Sequence, residues 1–329
     1  MPAVYPDLPL HIDSTMMAAF RSCPQKFFRE FIEGYRPKGG KSIDLHAGGC
    51  FAAAVEEVYT QVHVNKKNLN DALTVAQARF DLEWGDFEIP EWKKTSKTWD
   101  RVWTAVAGGA TPEDEGYFQR YPPLTDPVQP FFGSNGKPTF EYTFAIPLEP
   151  SSTSTHRKMA DDPAPFPEHP SGTPFVYCGR LDMLGTYMKR VVWRDEKSSK
   201  NNPNSNANWS EQWDLRSQFI GYTWALQQLG FDCEGGIVRG IGILKEKIGH
   251  AEAYKTYSNF IIQRWYEQLR RDLWRMRRMW EERYFDFNLS DACTAYGNCM
   301  FTRVCQSLTP ESWLNEFEIR HWNPLHKDI

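Results

Sequence analysis

The chain has 329 residues, of which 24% are charged, and its net charge is only −4. Because the net charge is slightly negative, no overall positive field draws the protein onto nucleic acid, and any nucleic-acid surface must be local. The sequence has no apolar run of the length of about 18 residues that a membrane-spanning helix needs, so we expect a cytosolic protein without a membrane partner. The length allows one substantial hydrophobic core, or a core with an added lobe.

Helical patterns dominate the first third of the chain. They predict a helix capped by Ser14 over residues 14–33 and a second over 47–64, followed by helices over 69–85 and 96–107. Between the last two, lysines alternate with tryptophans. That composition suits either a grip on single-stranded nucleic acid or an exposed loop with anchoring tryptophans, and we favour the loop. The residues concerned are Trp92, Lys93, Lys94, Lys97 and Trp99.

The middle of the chain predicts a sheet. Residues 139–146 form one expected strand, and residues 175–187 and 191–197 form two more, joined by a turn at 188–190. Residues 147–174 hold seven prolines and no apolar period, which predicts an insertion that acts as a lid or as a plain surface loop. A helical pattern at 211–229 precedes a β-branched run at 235–244, which is typical of a buried strand.

The longest predicted helix covers residues 257–284. Its apolar stripe consists of Ile261, Trp265, Leu269, Leu273, Met276, Trp280 and Tyr284. Arginines occupy the other faces, and Arg271, Arg275 and Arg278 are candidates for contacts with DNA phosphates. The alternative is an ordinary solvated face, because several acidic residues lie nearby and neutralise part of the charge.

The candidate catalytic residues follow the middle strands. Asp182 ends a Gly-Arg-Leu-Asp run, and Asp195, Glu196 and Lys197 begin 13 residues later. Two antiparallel strands would bring the carboxylates of Asp182 and Asp195 together, and these repel each other unless a divalent cation lies between them. Oxygen ligands suit Mg²⁺ or Mn²⁺. Lys197 would share a strand face with Asp195 and could orient or help deprotonate a metal-bound water. A surface hairpin with ordinary charges is the alternative.

The helical pattern at 211–229 carries Gln218 and Tyr222, four residues apart and therefore on one face. Asp, then acid-x-Lys, then a helix with Gln-x-x-x-Tyr resembles the PD-(D/E)xK nuclease superfamily, and in particular its RecB-like branch. That branch includes RecB and AddB nuclease domains, CRISPR-associated adaptation nucleases and many phage-encoded exonucleases.

The resemblance implies an α/β fold with a restriction-endonuclease-like core, in which helices flank a mixed central sheet. It implies that Asp182 and Asp195 hold the metal, with the Glu196 backbone carbonyl as a further ligand. Lys197 would serve the attacking water, and Gln218 and Tyr222 would contact the DNA strand beside the scissile phosphate.

One position departs from the family's pattern. The helix predicted over 47–64 usually carries a metal-ligating histidine about four residues after a glycine, and Ala52 stands there in this chain. Glu56, one turn later, is a replacement ligand or a solvated helix carboxylate. His46, just before, is a second candidate, but a helix-start role is the interpretation that we favour for it.

Seven cysteines give a second, independent signal, and three of them crowd together as Cys293, Cys299 and Cys305. Without a secretory signal a disulfide framework is not expected, so metal ligation is the better interpretation. Three thiolates leave a tetrahedral site one ligand short, and Cys23, followed by a proline, is the candidate for the fourth. The other cysteines, which are Cys50, Cys178 and Cys233, lie in apolar or strand-like stretches and are predicted to be small core residues.

An N-terminal Cys-Pro with three cysteines near the C-terminus resembles the iron–sulfur nucleases of the same branch. The resemblance implies a [4Fe-4S] cluster on these four thiolates that ties the two ends of the chain together. A Zn²⁺ ion on the same four cysteines, or free buried cysteines, are the alternatives.

These observations predict one nuclease domain over residues 1–329. It would comprise an N-terminal helical part (14–110), a catalytic sheet and helix (139–247), and a C-terminal lobe (257–329) whose cysteines pack back on Cys23. We expect a metal-dependent deoxyribonuclease, an exonuclease rather than a sequence-specific endonuclease, in recombination, repair or end processing. A phage origin would fit this compact form.

Its partner would be DNA. Since no G-x-x-x-x-G-K-[ST] motif is present, any helicase, or any single-strand annealing or binding protein, would be a separate chain. The alternative function is a non-catalytic or redox-sensing iron–sulfur subunit that binds DNA.

Overall fold

The computed structural model describes residues 5–39, 42–90, 93–149, 165–294 and 298–326. The chain divides into two compact units. The first unit consists of residues 1–40, 143–180 and 259–329, and the second of residues 41–142 and 181–258. Both units are therefore assembled from segments that are far apart in sequence, and the predicted catalytic residues fall in the second unit while the clustered cysteines fall in the first.

The N-terminal segment of the first unit holds β1 (His11–Ile12), α1 (Ser14–Ser22), α2 (Pro24–Phe27), a π-helical turn (Phe28–Ile32) and β2 (Tyr35–Pro37). One continuous helix over 14–33 is therefore a wrong prediction. The backbone of Cys23 is extended, with φ −159°, because a residue that precedes proline disfavours the helical conformation. The cap was also misplaced by one residue, since Asp13 accepts the N–H of Met16 at 2.7 Å.

The helices of the second unit are α3 (Ile43–His63), α4 (Leu69–Trp84), α5 (Trp99–Ala107) and the short α6 (Tyr117–Arg120). They confirm the three predicted helices, although α3 begins four residues before the expected position 47. Phe51, Val55, Val58 and Tyr59 of α3 are all buried. They share one hydrophobic core with α4, α5, α6 and the end of the β-branched run at residues 241 and 243.

The larger sheet is mixed, as predicted. It contains β1, β3 (Gln129–Pro130), β4 (Phe140–Pro147), β5 (Val176–Tyr187), β6 (Arg190–Ser199), β7 (Gly235–Ile243) and β8 (Ile248–Thr256). β1 pairs parallel with β5, and β3 and β4 also pair with β5. β5 and β6 form an antiparallel hairpin, and β6 lies parallel to β7 through the crossover helix α7 (Ser217–Gln228). β8, antiparallel to β7, was not predicted.

Two helices of the second unit cover opposite faces of β6. On one face, Arg194 donates to the hydroxyl of Tyr59 on α3 at 2.9 Å. On the other, Trp193 stacks on Phe219 of α7, with ring centroids 4.6 Å apart. Because successive side chains of a strand point to opposite faces, α3 and α7 each pack against alternate residues of β6.

The C-terminal segment of the first unit begins with α8 (Asn259–Glu281) and continues through α9 (Thr302–Gln306), α10 (Pro310–Leu314) and β9 (Phe317–Ile319), which pairs antiparallel with β2. The centre of the predicted α8 stripe is correct. Arg270, also near the centre, is buried as well. At the ends the prediction is wrong, because Ile262 is buried where Ile261 was expected and Tyr284 is 58% exposed beyond the helix. Among the residues described, no helix is both long and apolar enough to span a membrane.

The predicted insertion at 147–174 lies partly outside the described residues, at 150–164. From residue 165 onward it packs on α8. The indole of Trp274 donates to the carbonyl of Pro165 at 3.0 Å, and Arg277 donates to the carbonyl of Glu168 at 2.8 Å. The end of the insertion is therefore anchored, and a lid function stays a prediction.

Candidate active site

The β5–β6 hairpin brings the two predicted metal ligands together. Its register pairs Met183 with Arg194, so the next step along the strands sets Asp182 against Asp195. There the carboxylate of Asp182 accepts the backbone N–H of Glu196 at 2.9 Å. Asp195 is 1% exposed, and its Oδ1 lies 2.7 Å from the ammonium nitrogen of Lys197. The predicted proximity of the acids and the lysine is thus present.

The electrostatics of these groups call for a cation. Burial raises the pKa of Asp182 well above its usual value, and the neighbouring Asp195 raises it further. Burial also raises the pKa of Asp195, although the Lys197 charge acts against it. For Lys197, burial would lower the pKa, but the charges of Asp195 and Asp182 outweigh it, so the pKa is raised. The Oδ2 atom of Asp195 is buried and finds no hydrogen-bond partner among the residues described.

This donor set fits Mg²⁺ or Mn²⁺. The Asp195 oxygen that has no partner among the described residues, beside the Asp182 carboxylate, offers hard oxygen ligands at a place where two carboxylates share a single ammonium. No group of three or more His, Cys, Asp or Glu side chains in the described part of the chain is arranged to hold a metal ion. Mg²⁺ does not need such a cage, because it usually keeps several waters and takes only one or two carboxylates.

Asp182→Asn is expected to stabilise the metal-free protein. Because the native pKa is raised above the ordinary 3.8, the stability that neutral Asp182 gives is present below about pH 4 and is lost as the pH rises through the native pKa. Asparagine keeps an acceptor for the Glu196 N–H and carries no charge. Thermal unfolding in EDTA should show the variant about 2 °C more stable than wild type at pH 8, with no gain at pH 4. If the variant is less stable than wild type at pH 8, the charge of Asp182 does not destabilise the metal-free protein.

Glu56 faces the same region from α3. A cavity of about 10 Å³ is lined by the acidic residues Glu56, Glu141, Asp182 and Glu196, and by Ala52. That volume holds about one water-sized species. Ala52, which stands where the resemblance places a histidine, therefore lines the same cavity as Asp182, and so does Glu56 one turn later. A ligand role for Glu56 stays a prediction.

His46, the second candidate ligand, has a different environment. Its ring stacks on Phe87 with centroids 3.9 Å apart and meets Trp84 edge-on at 5.1 Å. Its Nε2 atom lies 3.7 Å from the Cys50 sulfur. These contacts support the helix-start role that we favoured for it over metal ligation.

Glu141 is a residue of the site that the sequence did not indicate. It belongs to β4 and lines the small cavity, and its φ of 49° lies in the left-handed region. A non-glycine residue there costs energy and persists only where the surrounding structure enforces it. No feature of the strand pattern at 139–146 signals such a conformation.

The side chain of Glu196 is held by a buried network on the α3 face. Its Oε1 accepts the hydroxyl of Tyr117 at 2.7 Å and lies 2.6 Å from Nε of Arg194. Deeper in, Arg239 donates two hydrogen bonds of 2.7 Å to Asp126. Both arginines are 0% exposed. Burial would raise the pKa of Asp126, but the Arg239 bonds and charge hold it below its usual value. Sequence reasoning missed this network, because nothing marked these charges as buried.

The predicted Gln-x-x-x-Tyr pair shares one face of α7. Gln218 donates to the hydroxyl of Tyr222 at 2.8 Å. Gln218 is half-buried, whereas Tyr222 is only 5% exposed. Phe219, between them, stacks on Trp193, and its ring centroid lies 5.7 Å from the Lys197 ammonium. The first turn of α7 therefore covers the strand face that carries Asp195 and Lys197.

The three arginines predicted to contact DNA are exposed, and two of them form ion pairs with nearby acids. Arg271, Arg275 and Arg278 are exposed on one side of α8. Arg275 pairs with Asp286 at 3.5 Å, and Arg278 with Glu282 at 2.9 Å.

In the loop before α5, Lys97 is 3% exposed. It pairs with Asp44 at 2.9 Å and donates to the Ser198 hydroxyl at 3.1 Å. Lys97 is therefore a buried structural residue, which differs from the exposed loop that we favoured, and Trp92 lies outside the described residues.

The four clustered cysteines meet in the first unit. Cys23, Cys293, Cys299 and Cys305 line one cavity of about 110 Å³. Burial raises the pKa of Cys305, and the other three sulfurs raise it further. Among the described residues these thiols form no tight metal-holding group, and residues 295–297 between them lie outside the described part. The remaining cysteines, which are Cys50, Cys178 and Cys233, are buried as predicted.

A family model of the PD-(D/E)XK nuclease superfamily matches residues 14–306. No curated protein gives a significant match. A solved structure titled "Crystal structure of SSO0001" shares 13% sequence identity with a TM-score of 0.26, over 51% of this chain and 59% of that one. The chain thus spans less than two thirds of that structure's length, and we draw no conclusion about fold or function from a TM-score this low.

Proposed function

Because the chain belongs to the PD-(D/E)XK nuclease superfamily, whose members typically hydrolyse nucleic acids with Mg²⁺ or Mn²⁺, we propose that it is a divalent-metal-dependent deoxyribonuclease that degrades DNA from an end. The observation that carries the proposal is the pairing of Asp182 with the buried Asp195. One Asp195 oxygen has no partner among the described residues, and Lys197 contacts the other. The preference for DNA ends rests on the resemblance to RecB-like exonucleases. Recombination, repair or end processing, with a separate helicase or single-strand annealing protein, is the setting that we propose.

Each residue has a distinct task in this proposal. Asp182 and Asp195 hold the cation, aided by the Glu196 carbonyl and Glu56, and the bound cation supplies positive charge at the scissile phosphate. Lys197, which the two carboxylates keep protonated, orients the attacking water. Gln218 reaches the strand beside the scissile phosphate, with Tyr222 fixing its amide at 2.8 Å.

The reaction is the hydrolysis of a phosphodiester. The oxygen of a water molecule forms a bond to phosphorus as the bond from phosphorus to the leaving sugar oxygen breaks, and the electron pair of that bond stays on the leaving oxygen. The leaving oxygen takes up a proton, and the water gives one up to solvent. Arg271, Arg275 and Arg278, exposed on α8, are proposed as contacts with DNA phosphates.

The test is digestion of end-labelled linear and closed circular DNA, with Mg²⁺, Mn²⁺ or EDTA. We expect linear DNA to be shortened in either metal, circular DNA to survive, and EDTA to stop the reaction. Asp195→Ala should be inactive, and Asp232→Ala, an exposed acid before β7, should match wild type. A folded wild type that binds DNA and cuts neither substrate would overturn the enzyme and favour the non-catalytic DNA-binding subunit. If closed circular DNA is cut as fast as linear DNA, the protein is an endonuclease and not an exonuclease.

We also propose that Cys23, Cys293, Cys299 and Cys305 hold a [4Fe-4S] cluster. The support is the volume of their common cavity, about 110 Å³, which has room for several atoms. A single Zn²⁺ with sulfurs about 2.3 Å away would draw the four thiolates into a much tighter group than the structure shows. The cluster would brace the first unit by joining segments from both ends of the sequence.

Cys299→Ala is expected to abolish the cluster in anaerobically purified protein. The absorbance at about 400 nm and the bound iron should both fall to background, because three thiolates cannot complete the set. Cys178→Ala, a buried thiol elsewhere in the same unit, should keep both. A colourless wild type with one zinc per chain would contradict the cluster. If the wild type loses DNA binding on oxidation and never cuts DNA, the redox-sensing alternative would stand instead.

A further inference from the structure

One exposed cation beside the catalytic strand has no partner among the described residues. Arg216 precedes α7, and its carbonyl accepts the N–H groups of Phe219 and Ile220 at 3.0 and 3.1 Å. These bonds fix its backbone to the first turn of the helix. Its side chain is exposed, and its guanidinium forms no hydrogen bond or ion pair with another described residue. The nearest acid in sequence, Asp214, is paired with Lys255 instead.

The turn that carries Arg216 is held over the catalytic face of β6. Phe219, in the same turn, packs against Trp193 and lies under the ammonium of Lys197. Arg216 is therefore within one helical turn of a side chain that contacts Lys197. Its charge also reaches both catalytic groups: it opposes the effect of burial on the pKa of Asp195, and it lowers that of Lys197 against the nearby carboxylates.

The buried carboxylates do not use this cation. Asp195 takes Lys197 as its ion-pair partner, and its other oxygen has no partner among the described residues, although the Arg216 charge acts on Asp195. A guanidinium that stays exposed beside such a pair is free to bind an anion that arrives from outside. Planar guanidinium groups match the oxygens of a phosphate, with which they form paired charge-assisted hydrogen bonds.

We infer that Arg216 contacts the scissile phosphate of the DNA strand and stabilises the negative charge that develops on its non-bridging oxygens during hydrolysis. This inference rests on the proposed nuclease activity and adds a phosphate-binding residue to it. Arg216 neither gives nor takes a proton: it holds the phosphate while water replaces the leaving sugar oxygen.

The experiment compares Arg216→Ala and Arg216→Lys with Arg190→Ala, a control at the start of β6, five residues before Asp195 and about 17 Å along the strand. The first readout is DNA binding in EDTA, as the slope of log Kd against log salt concentration. Loss of one phosphate contact should reduce the slope by about 0.7 for single strands or 0.9 for duplex, with Arg190→Ala unchanged.

The second readout is steady-state cleavage in Mn²⁺. Arg216→Ala should lower kcat by about 10² with a smaller change in KM, because the contact strengthens in the transition state. Arg216→Lys should keep the salt slope and recover only part of kcat, since an ammonium cannot form the paired bonds. Thermal unfolding of each variant shows whether it is folded.

The outcomes separate the two proposals. An unchanged slope with unchanged kcat would overturn the inference and make Arg216 a solvated surface residue. An unchanged slope with a lowered kcat would also overturn the phosphate contact, in favour of an effect on Lys197. If the wild type cuts no DNA but the slope still falls in Arg216→Ala, the phosphate contact stands and the nuclease activity fails.

Discussion

Replacing Asp195 with asparagine is expected to reduce the rate of DNA hydrolysis by about 10³-fold or more. The substitution keeps the size of the side chain and removes its charge. Asp195 is 1% exposed, and Lys197 lies 2.7 Å from one of its carboxylate oxygens, while the other has no partner in the described part of the chain. The neutral amide can neither balance the lysine nor attract a divalent cation, so the two functions of this carboxylate are lost together.

Single-turnover cleavage of a short labelled duplex in Mn²⁺ measures the effect, and binding of the same duplex in EDTA should be almost unchanged. Asp195→Glu is the matched variant, because it keeps the charge and moves it by one methylene. It should retain more activity than the asparagine variant. If Asp195→Asn keeps more than about a tenth of the wild-type rate, this carboxylate is not the metal ligand that we propose.

Arg239→Met is expected to destabilise the protein by about 3–5 kcal/mol. Arg239 is 0% exposed, donates two bonds of 2.7 Å to Asp126, and stacks on Tyr121 at 3.8 Å. Its removal leaves the Asp126 carboxylate buried without its main counter-charge. Taking away one partner of a buried pair costs more than the pair itself contributes, because the remaining charge cannot reach water.

Chemical unfolding of the single variants and of Arg239→Met/Asp126→Asn tests this directly. The double variant should be more stable than Arg239→Met alone, since the orphaned charge is gone. As an exposed control, Arg190→Ala breaks the ion pair with Glu234 and should cost no more than about 1 kcal/mol. A loss below about 1 kcal/mol for Arg239→Met would show that the carboxylate is compensated by other groups.

The sequence predicts the catalytic hairpin well because its signals are local. Alternating apolar residues, a short turn and a second alternating run define β5 and β6, and their antiparallel register brings Asp182 near Asp195. The shared face of Gln218 and Tyr222 likewise follows from helix geometry alone. Because such features depend on residues close in sequence, no knowledge of the tertiary packing is needed.

Features that depend on distant contacts were not predictable. Nothing in the strand pattern distinguishes buried Arg194 and Arg239 from solvated arginines, because their burial depends on Tyr117 and Asp126, which are 68 to 122 residues away in sequence. The left-handed backbone of Glu141 is also imposed by its surroundings. The break at Cys23 is different, since the following proline was a local signal that we did not use.

Four consecutive residues of β6 alternate between two functions, a buried structural network on one face and the candidate catalytic groups on the other. Arg194 and Glu196 join the buried network on the α3 side, while Asp195 and Lys197 pair on the side of α7. A one-residue insertion before this stretch would exchange the two sets, so that the acid and lysine entered the network and the other pair replaced them. Length changes in this strand would therefore abolish activity and folding together, whereas the β5–β6 turn is the place where evolution or an engineer could add residues.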